Sequence, residues 1–370
     1  MTAAITSSRI RVGVLAVMLS AGMLGSPTPI DAATHRKANN AVALNLTASW
    51  MGGVVPTNND VGQWDSAVTS ANTVFLGANL EKLGLTVVNP GGPVTLNAGN
   101  TLTLESSDVD LSAATQDLTA NGDLALGASQ SWTAAAGRNF TVGGVVSGAA
   151  LLTLPDPGTV IFTGGGCTLG TLAAGNNALA LNSGALVMAG GTLNLGGNND
   201  NEGALQIQCG ATFKQTGVVV NSSCYTRVGS TGQGTLVVNG GQFNNFGEIL
   251  LGYGGNGSTG YLVVSNTGTV SANFLRAGKN GRGYINLNGG LLAANRIFSL
   301  YGLGSFTLNG GKLLVNGSPK NPYVQNGGAI LDTAGQNVTF ASNLQPYSGS
   351  IGEPVIMVSL KSRILSIIIL

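Results

Sequence analysis

The sequence predicts an all-β chain wound as a right-handed parallel β-helix, a single-stranded solenoid, and three observations predict it. A glycine-led phrase recurs at a loose period close to one solenoid turn. Apolar residues alternate inside each phrase, the signature of a strand. The composition is rich in glycine and poor in charge: of 370 residues, 58 are Gly, 43% are hydrophobic and only 8% are Asp, Glu, Lys or Arg. An ordinary soluble domain carries roughly 25% charged residues and about 7% Gly. No Gly-X-Y period or proline excess points to collagen, so frequent tight turns account for the glycine.

The phrase reads GALVMAGG from Gly184, GALQIQCG from Gly203, GTLVVNGG from Gly234, GYLVVSNTG from Gly260, GYINLNGG from Gly283 and GSFTLNGG from Gly304. The second and fourth positions after the glycine are apolar: Leu186/Met188, Leu205/Ile207, Leu236/Val238, Leu262/Val264, Ile285/Leu287 and Phe306/Leu308. Period two places these on one face of a strand, with Thr235, Tyr261, Tyr284 and Ser305 on the other. Asn-Gly-Gly at 239–241, 288–290 and 309–311 supplies residues that tolerate positive φ at a corner.

A second strand follows at a fixed offset, in EILLGYGG at 248–255, NFLRAGKNG at 273–281 and RIFSLYGLG at 296–304. A repeat of at least two strands is stable only when stacked on its neighbours, about 4.8 Å per coil. Leu236, Leu262, Ile285 and Phe306 are then expected in one inward file, with Asn239, Asn288 and Asn309 forming a short external or corner ladder of amides. Roughly 22 residues per coil over about 300 folded residues predicts about 13 coils and a rod of roughly 60 Å. An antiparallel sandwich or propeller would share the short strands, but not the single-coil spacing of the inward pattern.

Arg9 and Arg11 precede an apolar run from Val12 to Leu24, followed by small residues at Ala32 and Ala33. This is the pattern of a secretory signal peptide over residues 1–33, and the run is too short to span a bilayer. Residues 34–49 are expected as a flexible leader, 50–350 as the β-helix with an N-terminal cap at 50–80, and 351–370 as a discordant hydrophobic tail. That tail, VIMVSLKSRILSIIIL after Gly352, leaves the Asn/Gly grammar. A frameshift or premature stop would produce such an ending, and the chain leaves no room for an outer-membrane barrel.

The stretch WMGGVVPTNNDVGQWDS at 50–66, NTVFLGANL at 72–80, LTVVNPGGPVTLNAGNTLTL at 85–104, residues 109–148 and LLTLPDPGTVIFTGG at 151–165 resembles the autotransporter-associated β-strand repeat proteins. The resemblance covers most of residues 45–340, and the family's GxGTLxLSG phrase has its counterpart at 157–164. It implies an exported β-helical passenger of the pectin-lyase-like fold, at the surface of a Gram-negative-type bacterium or outside it, and brings no catalytic residue set. The missing closing barrel implies a fragment of a longer member.

Chemistry is sparse. A net charge of +1 gives no reason to expect nucleic acid or an anionic membrane as partner. His35 is the only histidine and is expected as a solvated N-terminal residue, which argues against a catalytic triad or a His-ligated metal. Cys167, Cys209 and Cys224 lack CxxC spacing and read as small apolar fillers, although a Cys209 to Cys224 bridge is conceivable. GYGGNG at 252–257 matches a dinucleotide fingerprint but lies between strands, where that site needs a helix.

Asp108 and Asp110 alternate on an expected strand and so point the same way; with Asp117 and Asp123 beyond, they are the candidates for carboxylate chemistry or calcium on an outer face, against a plain reading as solvated strand or turn aspartates. Arg276, Lys279 and Arg282 form a small basic cluster that could neutralise an acidic sugar or simply solvate a corner. Asn139, Asn256 and Asn316 begin Asn-x-Ser/Thr triplets of the kind this composition produces by chance. No catalytic, cofactor or metal residue is assigned. The function expected is a non-enzymatic exported structural or adhesive surface, with extracellular glycan or cell-surface components as partners. The alternatives are a polysaccharide lyase or hydrolase on the same helix, and a non-functional fragment of a longer autotransporter-type protein.

Overall fold

The computed structural model describes residues 32–169, 178–197, 203–278, 280–299, 304–308, 311–315, 323–324, 329–332, 345–346 and 356–359. The expected signal peptide falls almost wholly outside these residues, as do Asn309, Asn316 and Lys279. The strands pair in parallel and stack as a right-handed β-helix of about 11 turns. Helix among the described residues is one 3-10 turn, Thr47–Ser49.

Each coil has three faces, within the expectation of at least two strands per repeat, although only two of them are identified in the sequence. In the first full coil they are Val61–Trp64, Asn72–Val74 and Leu80–Lys82. In later coils the corners tighten until one continuous strand, Gln233–Leu251, supplies all three.

The second face carries the recurrent phrase. Its inward column runs Asn72, Val94, Leu118, Phe140, Val160, Leu186, Phe213, Leu236, Leu262 and Ile285, with Phe306 next in backbone register. From Val94 to Ile285 no member is more than 3% exposed. Burying each such side chain contributes about 1.5–3 kcal/mol, so the expected file of aliphatics is the axis of the core. Members are spaced about 20 to 27 residues apart, in the range of a solenoid turn. About 11 turns form among the described residues, and at about 4.8 Å per layer the stack is about 50 Å long.

The third face, missed in the sequence, carries Leu102, Leu124, Val146, Cys167, Leu193, Val220, Phe243, Val270 and Leu292 inward. The corner before Phe243 depends on Gly241, which has φ 72°, and a Cβ there would strike the Val218 carbonyl oxygen. The first face carries Leu152, Leu179, Leu205, Thr226, Ile249 and Leu275.

Residues 34–49 are not a flexible leader. Thr34–Arg36 pairs in parallel with Val61–Gln63, and Lys37, Leu44 and Ser49 are buried. The expected cap at 50–80 is itself a coil, since its three strands pair with the next layer. The bore is covered instead by the segment from Lys37 to Pro56. Its Trp50 packs edge-on against Trp64 with ring centroids 6.0 Å apart and donates from Nε1 to the Leu44 carbonyl at 2.8 Å. Two lysines hold this cover. Lys37 donates to the Ala38 and Asn40 carbonyls and Asn40 Oδ1, and Lys82 to the Pro56 carbonyl. Within the expected tail, Ile356–Ser359 pairs in parallel with Ala329–Asp332 in a separate two-stranded sheet.

Candidate functional site

A solenoid spends its inward side chains on the core, so function falls to the corners and outward columns. At the corners of the N-terminal coils, side-chain oxygens accept backbone N–H groups of the coil above. Asn79 takes Thr101 N at 3.0 Å, Asp108 takes Ser131 N at 2.6 Å, Asp117 takes Asn139 N at 3.0 Å and Asp123 takes Val145 N at 2.9 Å. A buried N–H left unpaired is costly, and these residues satisfy N–H groups where the ladder turns.

This sets the role of the candidate carboxylates. Asp108 and Asp110 do not alternate along one strand: Asp108 precedes Val109–Leu111 at a corner with φ 64°, a left-handed conformation that Asp tolerates. Burial pushes the Asp108 carboxyl above its usual range, and the Asp110 charge adds to that. At Asp110 burial acts in the same direction but is outweighed by hydrogen bonds from Ser112 and Thr133, so its carboxyl is lowered. Ser112 N donates at 2.8 Å and Thr133 Oγ1 at 2.8 Å. Asp117 also lies 3.6 Å from the Arg138 guanidinium.

The basic cluster is dispersed. Arg276 is paired with Glu248, its Nη2 donating to Oε1 at 2.7 Å, whereas Arg282 is exposed at a different corner. Arg227 stacks on the Tyr253 ring at 4.6 Å, a contact the sequence did not signal. GYGGNG links the first-face strand ending at Leu251 to Thr259–Ala277, strand to strand. His35 is half-buried with Nε2 3.7 Å from Asp60, not a solvated terminal residue. Cys167 fills the bore and burial raises its thiol, Cys224 is buried, and Cys209 is exposed at a corner with φ 55°, so only two of the three cysteines are fillers. All three are free. Asn139 is half-buried beside Asp117, and Asn256 is exposed on a corner.

The outward columns are regular and mostly neutral. On the second face Thr73, Thr95, Thr119 and Thr141 lie in register, and Thr235 leads to Tyr261 and Tyr284, whose rings stack at 5.0 Å and 14°. On the third face Asn194, Asn221 and Asn244 form an amide ladder. Asn221 Nδ2 donates to Asn194 Oδ1 at 2.8 Å, and Asn244 Nδ2 donates to Asn221 Oδ1 at 2.9 Å. The ladder expected from Asn239 and Asn288 does not form, because Ser265 occupies the layer between them and donates to Asn239 Oδ1 at 3.1 Å.

No family model, curated protein or solved structure matches this chain.

Proposed function

We propose that the chain is a non-enzymatic exported surface rod, a passenger-like adhesive solenoid related to the autotransporter-associated repeat proteins, whose neutral outward columns make many weak contacts with extracellular glycan or cell-surface components. The observation that carries this reading is the repetition of outward Thr, Tyr and Asn columns in register, while the candidate carboxylates are engaged as acceptors between coils. Contacts repeated along one rigid body gain strength by multivalency. The test is retention of the purified full chain on polysaccharide-coated beads. Retention that rises steeply with ligand density, without release of reducing ends, is expected, and catalytic turnover of the polysaccharide overturns the reading.

A second reading, a polysaccharide lyase or hydrolase, draws on one observation: neighbouring Asp108 and Asp110 have carboxyl groups shifted in opposite directions, the pattern that separates acid from base. It requires turnover that Asp110→Asn abolishes while folding is retained.

A further inference from the structure

The most exposed large apolar side chain among the described residues is Phe246, at 69%. It follows the inward Asn245 in the strand's alternation and sits where the ladder to the coil above shifts register. Two residues, Phe246 and Gly247, separate Asn245 from Glu248, while the coil above crosses from Ala272 to Phe274 with Asn273 alone. Glycine is needed beside Phe246, because a Cβ at Gly247 would meet the Cys224 backbone at 2.7 Å and the Tyr225 ring at 3.0 Å.

Beside Phe246 lies a cleft of about 220 Å³ with Ala272, Ala293 and Ala294 as its small side chains and Asn245, Ser271 and Asn273 as its polar ones. No charged residue lines it. Ser271 and Ala293 continue the outward column of Asn194, Asn221 and Asn244, so the amide ladder leads into the cleft. The ladder has a direction: each Nδ2 donates to the Oδ1 of the coil below, leaving Asn244 Oδ1 as its acceptor end next to Ser271. Chains of hydrogen bonds polarise one another, which makes a terminal acceptor stronger.

We propose that Phe246, the cleft and the Asn194–Asn244 ladder form a binding subsite for a neutral oligosaccharide. An aromatic ring offers an apolar face to the C–H side of a sugar, and amides and a hydroxyl supply donors and acceptors for its hydroxyl groups. The uncharged lining disfavours acidic sugars, and Arg276 is engaged by Glu248. The proposal deepens the adhesive reading and rests on it.

The test is titration of the purified full chain with cellohexaose, mannohexaose and hexagalacturonate, read by calorimetry, with bead retention measured in parallel. A neutral hexasaccharide is expected to bind, Phe246→Ala to weaken it at least about tenfold with an unchanged unfolding midpoint, and Phe246→Trp to preserve it. Binding unaffected by Phe246→Ala, or a preference for hexagalacturonate, overturns the subsite. Retention on beads without any hexasaccharide binding removes the subsite and leaves the adhesive reading, while loss of both removes both.

Discussion

Leu262 lies in register on Leu236 inside the bore, both fully buried, with Ile285 in the next layer. Leu262→Ala therefore opens a cavity between two filled layers and is expected to cost about 2–5 kcal/mol. Val263, one residue away, faces outward and is half-buried, so Val263→Thr is expected to change stability by less than about 1 kcal/mol. Urea unfolding of the two variants tests the inward file, and equal losses would contradict it.

Gly241 and Gly255 form a matched pair for the corners. Gly241 has positive φ and no room for a Cβ, whereas a Cβ at Gly255 meets nothing within 4 Å. Gly241→Ala is expected to lose at least about 1 kcal/mol and Gly255→Ala to be neutral or slightly stabilising, as read from thermal unfolding midpoints.

Asp108 tests whether the corner carboxylates serve structure. Asp108→Asn keeps an acceptor for Ser131 N, tolerates the left-handed backbone and removes a partly buried charge beside Asp110. It is expected to be neutral or stabilising at pH 7. Asp108→Ala loses the acceptor and strains the corner, at a cost of about 1–2 kcal/mol. The contrast is read by urea denaturation at pH 7.

Lys37 and Lys82 give the N-terminal cover a pH dependence. Burial lowers each from 10.5 to about 8. The folded pKa lies below the unfolded one, so between about 8 and 10.5 the unfolded chain binds more protons and stability rises with pH. Below about 8 both states are protonated and these lysines add no slope. The urea midpoint of the wild type is expected to rise from pH 8 to pH 10, with a shallower rise in Lys82→Met. A wild-type midpoint that does not rise over that window contradicts the assignment.

The second face was legible because its phrase keeps one glycine and two apolar residues in fixed positions, as in Gly260, Leu262 and Val264. The third face was not, because its inward positions mix large and small residues, Val270 with Ala272 and Leu292 with Ala294, and follow the Gly pair without a marker of their own. Corner lengths vary from coil to coil, so spacing alone could not place Ser265 between Asn239 and Asn288 or bring Asn194, Asn221 and Asn244 into line. The Lys82 contact to Pro56 spans 26 residues, and no local pattern announces it. Alternation from the inward Phe243 already places Phe246 outward, but nothing local in the sequence announces the cleft of Ala272, Ala293 and Ala294 beside it.

The strand Gln130–Ala134 pairs downward through Trp132, Thr133 and Ala134 and upward through Gln130 and Ser131, so none of its residues has a strand partner in both neighbouring coils. Trp132 fills the space this leaves, packing edge-on against Phe140 and Phe162 and donating to Gln130 Oε1. Because each layer touches only its neighbours, a pull along the axis concentrates at the layer with the fewest bonds across it. The Gln130–Ala134 face carries two ladder pairs upward and three downward, against four upward from Asn139–Val142, so separation under tension is expected to start on this face.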